Sequence, residues 1–140
     1  MDTKINNDIL IIRLDQNESV NEKIIEACKK HKIKTAVVLS GIGQLKNVEL
    51  GYFKKKGDYS PEIFHNPLEL LSLSGNIVKN NENYILHLHS ILGDDKKNAI
   101  GGHFISGQIS VTAEIFIKKI GISIIRKKDK KTGLNSLFIN

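Results

Sequence analysis

An α+β domain, with one N-terminal helix set against a mainly antiparallel sheet, follows from three features of this sequence. Only residues 19–30 carry apolar positions at helical spacing behind a capping motif. About seven other stretches are short, rich in β-branched residues and separated at hairpin-like distances by turns of Gly, Asn and Lys. The 140 residues contain no linker, repeat or low-complexity tract, so residues 1–140 are expected to form a single compact domain.

The elements follow in order. Ile9 to Leu14 is largely apolar and reads as a first strand. Ser19-Val20-Asn21-Glu22 places a serine at the N-cap and a glutamate three residues on. Val20, Ile24, Ala27 and Cys28 then line one helix face, while Glu22, Lys23, Glu26, Lys29 and Lys30 face water and Glu26 pairs with Lys30. A basic turn at His31 to Lys34 ends the helix. Thr35 to Leu39 is β-branched and apolar, hence a buried strand. Ser40-Gly41-Ile42-Gly43-Gln44 is expected to break it as a tight turn. That segment is no phosphate loop, because the closing lysine with serine or threonine is missing.

Leu45 to Phe53 alternates as a strand, Lys54 to Asp58 is a polar turn, and Pro61 and Pro67 bracket a loop that holds His65. Leu68 to Leu73 is a strand, and Ser74-Gly75-Asn76 offers a bend or bulge before Ile77 and Val78. Lys79 to Asn83 is a hairpin turn into the strand Tyr84 to Ile91. Farther on, Ile109, Val111, Ala113, Ile115 and Ile117 alternate with Gln108, Ser110, Thr112, Glu114 and Phe116. Ile122 to Ile125 is the last strand before a basic tail, Arg126 to Lys131.

Hydrophobic residues at 40% and charged residues at 26% describe an ordinary soluble globular protein. The single cysteine, Cys28, excludes an intramolecular disulfide, fits a reducing compartment and reads as an inert buried thiol. The apolar run Ile9 to Ile12 is too short for a signal peptide or membrane span, so a cytoplasmic protein without membrane contact is expected. The net charge of +6 is carried by lysine, with Arg13 and Arg126 the only arginines. Lysine is a point charge, poorly suited to bidentate base readout, and no tryptophan or interleaved aromatic platform is present. A solvated lysine surface is the plain reading. Any contact with DNA through it would be weak, non-specific and steeply salt-dependent.

The chemistry lies between His87 and His103. On a strand, His87 and His89 share one face while Leu86 and Leu88 point into the core. Gly101 and Gly102 let the backbone approach and turn just before His103, so three imidazoles can converge. Three neutral imidazoles suit zinc with an open fourth position, although nickel, cobalt and copper accept the same donors. His31 and His65 fall in polar turns and are expected to be solvated. A zinc-bound water would titrate near pH 7, the arrangement of a hydrolytic site. Glu114 is the nearest candidate base in chain order, but a surface or subunit-contact carboxylate is the favoured reading for it.

Leu71-Ser72-Leu73-Ser74-Gly75-Asn76, His87-x-His89, Gly101-Gly102-His103, Ala113-Glu114 and Arg126…Asp129…Thr132-Gly133-Leu134 occur in that order. Together, from about Ile9 to Leu134, they resemble the PPC (plants and prokaryotes conserved) domain family. The resemblance implies an α+β fold assembled as a homotrimer, and in prokaryotic members a metal, zinc above all, on the histidine set. Plant members add an Arg-Gly-Arg-Pro hook for the DNA minor groove and an Arg-Phe pair ahead of the Leu-Ser-Leu-Ser-Gly motif for partner docking. This sequence has no such hook, and Asn66-Pro67-Leu68-Glu69-Leu70 stands where the pair would be, so it resembles the stand-alone prokaryotic branch. Two functions are consistent with these features. The favoured one is a homotrimeric zinc-binding module that binds a small anionic ligand or a partner. The alternative is a zinc-dependent, hydrolase-like enzyme acting on a small anionic substrate.

Overall fold

In the computed structural model, which describes residues 1–139, the helix α1 spans Val20–Lys30. Ser19 caps it as expected, its Oγ accepting from the Glu22 N–H, and Val20, Ile24, Ala27 and Cys28 are fully buried. Glu26 pairs with Lys23 at 2.7 Å instead of with Lys30, whose ammonium donates to Thr3 Oγ1 at 3.1 Å. Thr3 is within reach because the chain opens on a strand that its mixed polarity concealed. That strand, β1 (Asp2–Asn6), pairs antiparallel with β2 (Ile9–Leu14) across a turn at Asn7, where φ is 51°.

The remaining strands are β3 (Thr35–Lys55), β4 (Asp58–Phe64), β5 (Leu68–Asn80), β6 (Asn83–Gly93), β7 (Ala99–Lys119), β8 (Ile124–Lys128) and β9 (Asn135–Ile139). The first seven form an antiparallel sheet in the order β1-β2-β7-β6-β5-β3-β4, and β7 also pairs with β3. That extra pairing closes β3, β5, β6 and β7 into a ring. The core lies between α1 and the inner sheet face, where Leu10, Ile12, Ile24, Leu73, Leu88, Ile109 and Ile115 are all fully buried. Each such side chain contributes about 1.5–3 kcal/mol when taken from water. Among the described residues, no helix is long and apolar enough to cross a membrane.

Several expected breaks are continuous strand. β3 runs through Ser40 to Gln44 because Gly41 and Gly43 provide clearance, not a turn. A Cβ on Gly41 would stand 2.7 Å from that of Leu73, and one on Gly43 would meet the Thr112 carbonyl oxygen. β5 likewise keeps its register through Ser74-Gly75-Asn76, and its irregularity falls earlier, between Leu70 and Ser72. The segment around Pro61 is the edge strand β4, where a missing N–H leaves no ladder bond unmade. Val111 is 62% exposed instead of buried, because Ile109 to Ala113 spans only Leu45 to Gly43 across the ladder and the bulge turns it outward. Gly101 and Gly102 lie inside β7, opposite Ile91 and Ser90. The basic tail is strand β8, paired with β9 in a separate two-stranded sheet.

Gly75 tests the close packing of this ring. Its φ is +144°, and a Cβ would collide with the His87 carbonyl oxygen. Gly75→Ala is expected to lower the unfolding free energy by at least about 2 kcal/mol, read as a shift of the urea midpoint. An unchanged midpoint would mean that β5 and β6 can separate freely.

Candidate metal centre

Strand alternation on β6 sends Leu88 into the core and turns His87 and His89 to the outer face. His103 on β7 is the direct cross-strand partner of His89 and faces Gly51 of β3 on its other side. The glycines before it act by absence of bulk: a Cβ on Gly101 would lie 2.8 Å from the Ser90 carbonyl oxygen, and one on Gly102 3.0 Å from that of Gly51. The three ring centroids form a near-equilateral triangle of 5.2, 5.3 and 5.4 Å, with one nitrogen of each ring within 4.8 Å of the others. Tyr59 meets His103 edge-on at 6.3 Å. A tetrahedral zinc with Zn–N near 2.0–2.1 Å needs nitrogens roughly 3.3 Å apart. Inward ring movements of about 1 Å meet that requirement, and the donor set is wholly imidazole, so the residues fit the ion.

Arg126, which local spacing does not mark as a site residue, is built into this cluster and only 8% exposed. Its Nη2 donates to Asn76 Oδ1 at 2.7 Å and to His87 Nδ1 at 3.1 Å, while Nη1 donates to the Asn135 carbonyl oxygen at 2.6 Å. Asn80 holds its backbone from both sides, accepting from the Arg126 N–H at 3.1 Å and donating to its carbonyl oxygen at 2.6 Å. Nε is buried without a partner. A signal was available in the sequence: Arg126 is one of two arginines among 21 basic residues, followed by an Asp-x-x-Thr turn. In that turn Asp129 Oδ1 accepts from the Thr132 N–H at 2.7 Å and from Thr132 Oγ1 at 2.9 Å, which bends the chain toward β9.

Burial, the Arg126 guanidinium and then the other two imidazoles push the His87 pKa down to about 4. His103 is lowered by burial, then by His89 and Arg126. Both rings are therefore unprotonated at neutral pH, as a metal ligand must be. The cluster forms one end of a pocket of about 900 Å³ whose other walls include Phe53, Tyr59, Ile85, Leu86, Ile105 and Leu134. Among the described residues, no Asp or Glu lines it. The structure does not bring Glu114 to the histidines: it is exposed on the far half of β7, opposite Arg13 and Ile42. His31 is half-buried, not solvated, with Nε2 3.0 Å from Thr3 Oγ1, again because β1 covers the end of α1. His65 is exposed, its Nδ1 3.2 Å from Asn47 Oδ1.

The family model of the Plants and Prokaryotes Conserved domain matches residues 1–121. This chain belongs to that family. The resemblance read from the ordered motifs therefore holds. Three similar solved structures cover nearly the whole chain. A Bacteroides thetaiotaomicron protein, named for a proposed DNA-binding role, is 25% identical with a TM-score of 0.92, over 99% of this chain and 96% of its own. A metal-containing protein from Archaeoglobus fulgidus is 27% identical with a TM-score of 0.84, over 98% and 96%. A plant- and prokaryote-conserved protein from Pyrococcus horikoshii is 28% identical with a TM-score of 0.81, over 98% and 96%. No curated protein matches the chain.

The depressed His87 value has a pH consequence whose sign is fixed. Between pH 6.5 and about 4 the unfolded chain takes up a proton at this residue that the folded chain refuses. Stability of the metal-free protein is therefore kept above pH 6.5 and lost as pH falls toward 4. A thermal-unfolding series across that window should show the decline, and His87→Gln should flatten part of it. A wild-type midpoint constant down to pH 4 would contradict the assigned environment.

Proposed function

We propose that this PPC-family protein is a homotrimeric binding or regulatory module built around a zinc ion held by His87, His89 and His103, with the fourth position left to a small anionic ligand. The triangle of rings with donor nitrogens within 4.8 Å of one another carries this reading. The metal-containing relative from Archaeoglobus supports it. Zinc is favoured because an all-imidazole set in a tetrahedral arrangement with one open position is its common habit. Leu39, Ile42, Leu71 and Ile91 on β3, β5 and β6 are each about half exposed, and apolar surface of this kind supports self-association. The buried Cys28 thiol, pushed up to about 12 by burial, is inert and suits a reducing cytoplasm.

Two further aspects follow. Lys29, Lys32 and Lys34 gather around a hollow that Lys79, paired with Glu82 at 3.2 Å, also lines, a footing for backbone phosphates. Together with the name of the Bacteroides relative, this supports weak, non-specific association with DNA. The hydrolase reading needs a general base at the metal, and the absence of any carboxylate from the pocket lining favours the binding module over it.

Elemental analysis of protein prepared without a histidine tag tests the centre. About one zinc per chain is expected, lost in His89→Ala; metal-free wild type, or full metal in the variant, would refute the assignment. Light scattering should give three times the 15.7 kDa chain mass, and a monomer would remove the trimer. Gel shifts with DNA should vanish as salt rises, whereas a salt-resistant, sequence-specific shift would contradict the lysine-phosphate account.

A further inference from the structure

The hydrogen bonding of Arg126 is incompatible with metal ligation by His87 as it stands. A guanidinium only donates, so at 3.1 Å the His87 Nδ1 must be the acceptor and must turn its lone pair to Arg126. A neutral imidazole has one such lone pair, and Nε2 then carries the proton. A ring in this tautomer cannot ligate through Nε2. Ligation through Nδ1 would use the very lone pair that Arg126 occupies. Whichever nitrogen takes the metal, one Nη2 N–H of Arg126 must leave His87.

The freed donor is not alone. Arg126 Nε is buried and has no partner, although the residue is 92% removed from solvent by its 8% exposure. The Nε–H and one Nη2–H of a guanidinium project side by side, the fork that matches the two oxygens of a carboxylate. Charge points the same way. A divalent ion on three neutral imidazoles, beside one guanidinium, places three formal positive charges in a pocket that no Asp or Glu lines. Charge held away from water without a counter-charge is costly, so the loaded pocket calls for an anion. Its remaining walls are largely apolar and aromatic, with Phe53, Ile85, Leu86, Ile105 and Leu134 among them, and at about 900 Å³ it has room for more than an inorganic ion.

Resting on the metal reading above, we infer that the ligand of this pocket is an organic carboxylate with an apolar body, and that Arg126 exchanges its bond to His87 for a bond to that carboxylate. The apolar body lies against Leu134 and its neighbours. Arg126 acts as a binding residue here, and through Asn135 it ties the β8–β9 hairpin to whatever occupies the pocket.

The test is calorimetric titration of zinc-loaded protein with 3-phenylpropionate, acetate, inorganic phosphate and 3-phenylpropanol, with zinc content measured on the same samples. Phenylpropionate should bind at least tenfold more tightly than acetate or phosphate, and the alcohol should show no binding. Arg126→Lys, which keeps the charge and loses the fork, should weaken phenylpropionate about tenfold at equal zinc content. The wild-type ¹H–¹⁵N signal of Arg126 Nε gives a reading that needs no altered protein, since only Arg13 shares its spectral region. It should shift on adding zinc and phenylpropionate together. Phosphate or acetate binding as well as phenylpropionate would overturn the apolar body, and equal binding of the alcohol would overturn the carboxylate. An unmoved Nε signal, or undiminished affinity in Arg126→Lys, would overturn the role of the arginine. Zinc uptake without any carboxylate binding sinks this inference and leaves the metal reading standing. A chain that takes up no zinc fails at the metal reading itself, seen directly in the zinc analysis.

Discussion

Close approach of backbones at glycine is the constraint on which this molecule depends. Strands β3 and β7 each span 21 residues and pair with each other as well as with their other neighbours. Such a ring leaves little room between its walls. Gly41, Gly43, Gly75 and Gly101 stand where a Cβ would run into a neighbouring strand. The same closeness sets His103 opposite His89 and beside Gly51, so the histidine cluster is a product of strand register. Rings fixed by a ladder on rigid strands are held more firmly than rings on a loop.

The electrostatics of the site are one-sided. Acidic residues are numerous elsewhere, and the N-terminal ammonium alone meets both Asp15 and Glu18 at 2.7 and 3.0 Å. Around the histidines there are only cationic and neutral groups, with Arg126 pressed against His87 and away from water. This arrangement favours the unprotonated form of His87 and His103, the form that a metal ligand requires. It also leaves the positive charge of the arginine without a partner of opposite sign in the pocket lining.

Residue pattern revealed the helix and the histidines well, for a shared reason. Val20, Ile24, Ala27 and Cys28 repeat with the helical period, and His87 and His89 repeat with the strand period, so local spacing alone decides which way each points. Contacts between distant segments left weaker marks. Gly41-Ile42-Gly43 carries the composition of a turn, and only the proximity of Leu73 and Thr112 shows that the glycines serve an uninterrupted strand. Val111 obeys the alternation of its neighbours in sequence, but the bulge that turns it out is defined by β3, some 66 residues earlier at Leu45. Arg126 looked like part of a charged tail because its partners Asn76, Asn80 and His87 lie 39 to 50 positions away. Glu114 is near the histidines only in chain order, and an extended strand carries chain neighbours apart at about 3.3 Å per residue, which leaves it the exposed carboxylate that the sequence reading favours.

The hairpin of β8 and β9 forms a two-stranded sheet of its own, apart from the seven strands that carry the three histidines. Two elements thus meet at one pocket: the large sheet supplies the socket, and a short separate ribbon supplies Arg126, Leu134 and Asn135 to one wall. Exchanging that ribbon for another would alter what the socket admits without disturbing the strands that hold the imidazoles. Through the Arg126–His87 bond, such an exchange would also reach the histidines, so the wall of the pocket and the state of its imidazoles are bound to change together.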